Sequence, residues 1–109
     1  MAVLVAQSVV RAGVKPVYVA AAEAGDSFAN TGDEFIHIKN GAGDPYVVTI
    51  ATPATVDGLA VADRTVSIPA GEERMIGPFP SNTYNDSTGK VQLTYDGIVS
   101  VTIAIIKLG

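Results

Sequence analysis

Near its C-terminal end the chain runs Val99-Ser100-Val101-Thr102-Ile103-Ala104-Ile105, large β-branched residues alternating with small or polar ones. Successive side chains of a strand point to opposite faces, so this run carries one face to bury and one to leave near water. Short runs of the same kind recur along most of the sequence, separated by glycine, proline, asparagine and aspartate. A period of two repeated in short segments restricts the chain to an all-β architecture, because helical cores need a period near 3.6. Almost nothing between the runs reads as chemistry. A chain of this kind works by its surface.

Residues 3–10 form an apolar run interrupted by Gln7 and Ser8, a first strand or an extended arm, which Arg11-Ala12-Gly13 breaks. Residues 14–22 read as a second strand, with Pro16 suited to an edge or an opening position. Residues 20–24 alternatively offer one helical turn, too short to stand alone. Residues 25–33 read as a polar loop. In the third strand, residues 34–40, Ile36 and Ile38 share one face while Phe35, His37 and Lys39 share the other. Asn40-Gly41 followed by Gly43-Asp44-Pro45 is a turn signal that predicts a hairpin with the strand at residues 46–51.

Residues 52–63 make a long loop, 65–68 a short strand, 69–72 a tight turn and 73–76 another strand. Gly77-Pro78-Phe79-Pro80 stops that strand, since proline removes ladder donors. Residues 81–89 form a polar loop, 90–95 alternate cleanly, and Asp96-Gly97 turns the chain into the final strand. About eight short antiparallel strands at this spacing predict a single-domain β-sandwich, jelly-roll or Ig-like, over residues 1–109, with residues 1–12 as an N-terminal arm or edge strand.

Composition narrows the function. The 109 residues are 48% hydrophobic and 17% charged, which is outside the range of disordered chains. Mean hydropathy is positive. Two readings account for the apolar excess: a surface buried against another chain, or a sandwich rich in small valines and alanines. No run of about 18 apolar residues spans a membrane. A net charge of −4 without a basic patch argues against nucleic acid. With no cysteine there is neither a disulfide nor a thiolate metal site, which fits assembly in a reducing cytoplasm. The N-terminus lacks the basic segment of a signal peptide.

Each candidate for chemistry has a structural explanation. His37 is the only histidine, so no two-histidine metal site exists, and it lies mid-strand where a nucleophile elbow is not expected. In an interface its protonation would make assembly pH-sensitive. Asp26, Asn30, Asp33 and Glu34 place oxygen ligands near one another, but not with EF-hand spacing, and capping explains them as well. Glu72 and Glu73 point to opposite faces, poor geometry for a glycosidase pair. Asn85-Asp86-Ser87 matches a glycosylation acceptor by accident of sequence. Gly41 and Gly43 join two strands and have no helix N-terminus to receive a phosphate. Tyr46, Tyr84, Tyr95 and Phe79 would be the aromatic platform of a carbohydrate-binding module, but the chain has no tryptophan. Phe79 and Tyr84 fit a protein contact at least as well. No catalytic residue, cofactor or metal site is expected.

From Asn30 onward the order of motifs is Asn30-Thr31-Gly32-x-x-Phe35, a strand closing on Lys39-Asn40-Gly41, then Thr49-Ile50-Ala51-Thr52-Pro53 running into Val56-Asp57-Gly58-Leu59. Ile68-Pro69-Ala70-Gly71, Ile76-Gly77-Pro78-Phe79-Pro80 and Tyr84-Asn85-Asp86 follow. Over roughly three quarters of the chain this resembles the small virion proteins of tailed bacteriophages that decorate or cement the capsid. These are loop and turn signatures, which carry a shared fold better than a shared partner.

The resemblance implies a β-sandwich that binds the outside of an icosahedral shell as a homotrimer and clamps neighbouring major capsid subunits. It implies manufacture in the host cytoplasm and residence on the capsid exterior. In that setting the segment around Ala2 to Val10, with Val3 and Val5, would add a strand to a neighbour's open sheet edge. Residues 57–63 and 81–86, the long central loops, would carry recognition, and Arg64 and Arg74 would be interfacial cations. The contact candidates are therefore Val3, Val5, Arg64, Arg74, Phe79 and Tyr84. A head–tail connector, a tail or fibre component and a carbohydrate-binding module are the competing readings.

Overall fold

The computed structural model describes residues 2–60 and 62–108. Along the chain lie β1 (Ala2–Leu4), β2 (Gln7–Val9), β3 (Val19–Ala20), β4 (Asp26–Ala29), β5 (Glu34–Asn40), β6 (Tyr46–Ile50), β7 (Thr55–Val56) and β8 (Leu59–Ala60). They are followed by β9 (Arg64–Ile68), β10 (Glu73–Ile76), one helical turn α1 (Ser81–Tyr84), β11 (Lys90–Tyr95) and β12 (Val101–Leu108). One sheet has the order β1-β4-β11-β6-β9; the second runs β10-β5-β12-β2, with β3 also paired to β12. The expected all-β sandwich is the observed fold, and β7–β8 form a separate small hairpin.

The core lies between the sheets. Phe28, Ile36, Val48, Ile50, Val91, Leu93 and Ile103 are each 0% exposed. The burial follows the alternation: Ile36 and Ile38 of β5, and Val101, Ile103 and Ile105 of β12, all join the same cluster. Burying one such side chain contributes about 1.5–3 kcal/mol relative to leaving it exposed. β12 starts at Val101, because Ser100 has φ 59° and belongs to the preceding turn. From there it pairs along the whole of β5, from Val101↔Asn40 to Lys107↔Glu34.

The connections depart from the sequence expectation. The predicted hairpin of β5 with β6 does not form: β5 pairs with β10 and β12, and β6 with β11 and β9, in the other sheet. Neither Asn40 nor Gly41 takes the positive φ that a type I′ hairpin turn requires. Instead the buried Asn40 side chain pins an arch between sheets. Its Nδ2 donates to the carbonyls of Asp44 at 2.8 Å and Ile68 at 3.0 Å, and its Oδ1 accepts from the Ala42 N–H at 2.9 Å. The chain likewise changes sheets from β4 to β5, β9 to β10, β10 to β11 and β11 to β12.

Two further expectations are corrected. The supposed polar loop at residues 25–33 contains β4, a central strand whose Asp26, Ser27 and Phe28 are all buried. Its polar start is tolerable because Asp26 Oδ2 accepts from the Tyr95 hydroxyl at 2.7 Å and the Ala22 N–H at 3.2 Å. The strands are also not all antiparallel: β1 runs parallel to β4, and β2 parallel to β12. The first apolar run thus visits both sheets in turn, with Val5 and Ala6 between the two pairings. Within residues 1–12 it is β1 and β2 that supply edge strands, one to each sheet; Met1 lies outside the described residues.

Candidate functional site

A sandwich of two open sheets has two flanks where the sheet edges come together, and here they differ. On one flank lie β1 of the first sheet and β2 and β3 of the second. The crossing strand closes this flank. Gln7 locks it further: its Nε2 donates to the Val17 carbonyl and its Oε1 accepts from the Val17 N–H, both at 2.8 Å. Only a dent of about 50 Å³ remains between residues 4–7, residues 17–19 and β12.

The segment that builds this flank exposes many valines, with Ser8, Arg11 and Lys15 exposed among them. Of ten large exposed hydrophobic residues among those described, seven are valines within the first 19 positions. Val5 is 81% and Val3 60% exposed, whereas their neighbour Leu4 packs on the core. Valines held this way add little to the core, which leaves their apolar surface open to contact.

On the opposite flank the edges are β9 of the first sheet and β10 of the second, and no strand crosses between them. Residues 77–84 fold across the gap instead. Gly77 has φ 134° and sits against Phe35, a position with neither the backbone freedom nor the space for a Cβ. The Gly77–Pro78 peptide is cis. Phe79 then drops into the core, 1% exposed, with its ring centroid 6.0 Å from Phe28 and 5.2 Å from Tyr84. Asn30 ties the segment down: its Nδ2 donates to the Phe79 carbonyl at 2.9 Å and to Asn85 Oδ1 at 2.7 Å. Asn85 Nδ2 returns a bond to the Asn30 carbonyl at 2.9 Å.

What remains of this flank is a groove of about 560 Å³. Phe79, Ile76 and Val66 contribute its apolar lining, and Arg64, Arg74 and Tyr84 its polar one. Arg64 Nε donates to the Tyr84 hydroxyl at 3.3 Å, a bond that pushes the guanidinium still higher above its ordinary value. Arg74 Nη1 donates to Glu72 Oε1 at 3.1 Å and to the Glu73 carbonyl at 2.8 Å.

Four of the six contact candidates, Arg64, Arg74, Phe79 and Tyr84, therefore meet at one groove, while Val3 and Val5 lie on the opposite flank. Phe79 is the groove's floor and not an exposed anchor, because its ring completes the core beside Phe28. The loop candidates meet in part: Thr83 and Tyr84 wall the groove and, with Ala62 and Asp63 at the end of the other loop, line a hollow beside Arg64, whereas the Asp57 end of that loop carries the β7–β8 hairpin, with Leu59 72% exposed. Sequence reasoning missed Met75, 68% exposed at the groove's rim, whose place in an otherwise ordinary strand gave no signal.

Many of the remaining polar residues are engaged within the fold, while Asp26 Oδ1, Thr52 Oγ1 and Gln92 Oε1 are buried without a hydrogen-bond partner. His37 is buried, with Nδ1 at 2.5 Å from the Tyr18 hydroxyl and Nε2 at 3.0 Å from Glu73 Oε1. Lys39 Nζ stands 4.1 Å above the Tyr18 ring. Burial works to raise the Glu34 carboxyl, but bonds from the Thr31 N–H and hydroxyl and the Asp33 N–H outweigh it and hold it below its ordinary value. Asp86 is held well below the usual carboxylate range by the Thr88 hydroxyl first, then by Gln92 and the Lys90 and Thr88 N–H groups.

Burial, and then its bond to Asp26, pushes the Tyr95 hydroxyl far above its ordinary value, so that it stays a proton donor. The Asn85 amide of the glycosylation-like triplet is spent on Asn30 and Gly89. Tyr46 packs over Gly97 and Tyr95 faces Asp26, so the aromatic residues form no shared platform. Among the described residues no group of three or more His, Cys, Asp or Glu side chains is placed to hold a metal ion, and no helix is long and apolar enough to cross a membrane.

No protein family, no curated protein and no solved structure matches the chain. The fold and the two flanks define it as an all-β sandwich with two contrasting surfaces.

Proposed function

We propose that this chain is a structural protein of a tailed-phage virion, one that binds the outer surface of the capsid and stabilises contacts between major capsid subunits. The observation that carries the reading is the valine-covered flank, held rigid by the crossing strand and by the Gln7 clamp. An adhesive needs an apolar contact surface that stays folded before its partner arrives, and β-branched valines have little rotamer freedom to lose on docking. Many weak copies on a repeating shell then multiply their effect. The internal use of Asp26, Asn30, Glu34 and His37 leaves their chemistry committed to the fold, which suits a structural role.

The test is location and valine dependence together. Antibody-labelled electron microscopy of purified virions should place the protein on capsid faces. The Val3→Ser, Val5→Ser double variant should bind purified expanded shells at least about tenfold more weakly than the parent, a change near 1.4 kcal/mol. Labelling confined to the tail would replace this reading with a connector or fibre component, and absence from the particle would reject it.

A further inference from the structure

The groove on the open flank points to a second binding site. We infer that it takes an extended segment of another protein bearing a carboxylate side chain beside an apolar one. The charge argument comes first. The chain has a net charge of −4, yet the residues lining the groove include two arginines and no aspartate or glutamate. Arg64 makes its one side-chain bond to a neutral hydroxyl, and among the described residues no carboxylate lies within salt-bridge distance of it. Arg74 is shared with Glu72, which is itself 55% exposed at the side chain and can yield to a competitor. Two guanidinium groups over an apolar floor favour a partner offering carboxylate and hydrocarbon together.

The edges say what shape the partner has. β9 and β10 each have a neighbour on one side only, so each presents unpaired peptide groups on the other. An added strand satisfies such groups through main-chain bonds, while its alternate side chains enter the space between the sheets. Along β9, Arg64, Thr65 and Ser67 are exposed, Val66 is half-buried and only Ile68 is buried. Glycine and two prolines in residues 77–80 give the end wall a fixed shape.

The experiment selects from a displayed library of random octapeptides on the wild-type protein, then measures the enriched peptides on Arg64→Glu, Arg74→Glu and Arg64→Lys variants whose amide spectra show the parent fold. The expected result is enrichment of peptides with Asp or Glu next to Val, Ile or Leu. Their binding should fall at least about tenfold in the glutamate variants and be largely kept in Arg64→Lys. Amide shifts on binding should concentrate in Arg64–Ile68 and Glu73–Ile76. The inference is overturned by a failure to enrich any peptide, by enriched peptides lacking acids, or by equal binding to the glutamate variants. A single-stranded oligonucleotide that displaces the peptides, or a change of oligomeric state in the glutamate variants, would also overturn it, in favour of nucleic acid or a second copy. The assay uses no virion and leaves Val3 and Val5 untouched, so its outcome is separate from that of the capsid reading.

Discussion

The two flanks of the sandwich meet the same physical problem in different ways. Each brings together two sheet edges with unpaired peptide groups. On the N-terminal flank the chain narrows the gap with backbone: β1 adds to one sheet and β2 to the other as new edge strands, and the crossing leaves only a small dent. On the β9/β10 flank it uses side chains and a rigid loop, with Phe79 filling the core and Asn30 holding the loop, and a groove is left over. Backbone closure produces a smooth surface whose outward side chains are free to be apolar. Side-chain closure produces a concave surface whose edges stay available. The two solutions leave different surfaces, one rich in exposed valines and one concave and lined by arginines.

The comparison breaks most visibly at Phe79. Phe79→Ala removes the plug of the open flank and should cost about 3–5 kcal/mol in denaturant unfolding, with the groove collapsing or filling with water. Asn30→Ala comes next, at about 1–3 kcal/mol, because it strands the Phe79 carbonyl and the Gly32 N–H that the side chain now serves. If Asn30→Ala proves neutral, the loop is held by Phe79 alone. On the closed flank, Gln7→Ala removes two exposed bonds and should cost about 1 kcal/mol. Its clearer sign is faster amide hydrogen exchange in residues 14–20, with the rates of β5 and β11 unchanged.

Acid sharpens the contrast further, because the carboxylates with lowered values, Glu34 and Asp86, anchor loops near Asn30 and Asn85. A carboxyl whose folded value is depressed stabilises the fold at pH above its unfolded value, 4.5 for Glu34 and 3.8 for Asp86. That contribution is lost as pH falls through the folded value. Stability should therefore decline below about pH 5, and Asp86→Asn or Glu34→Gln should flatten the decline in an acid titration followed by circular dichroism. The smallest effect is expected at Val3 and Val5, where the serine pair should change stability by less than about 0.5 kcal/mol. A larger loss would mean that these valines serve the fold and not a partner.

The strands that bury a regular apolar face were legible. The bounds of β5 and β11 follow directly from alternation, since Ile36 and Ile38, or Val91 and Leu93, have no other low-energy place to go, while those of β10 follow from the turn before it and the prolines after it. β4 was not legible, because Asp26 and Ser27 look like loop residues until Tyr95, 69 positions away, supplies the bond that lets Asp26 be buried. The sheet assignment was hidden for a similar reason. Asn40-Gly41 has the letters of a hairpin, but the Asn40 side chain reaches the Ile68 carbonyl, and that long-range bond converts a turn into an arch. At the site, residue type alone identified Arg64, Arg74, Phe79 and Tyr84. Their convergence depends on which strands become edges, and topology decides that, not local pattern.

The parallel pairing of β2 with β12 has a mechanical consequence. Tension applied between a point before β1 and a point after β12 pulls β2 and β12 in opposite senses along their common direction. The Gln7↔Ile106, Ser8↔Lys107 and Val9↔Leu108 pairs are then loaded together in shear and do not peel apart one at a time. The pairing of β1 with β4 gives the same geometry in the other sheet. A sandwich tethered at both ends in this way resists stretching along its strands far better than tearing across them, so the direction of a load decides whether it holds.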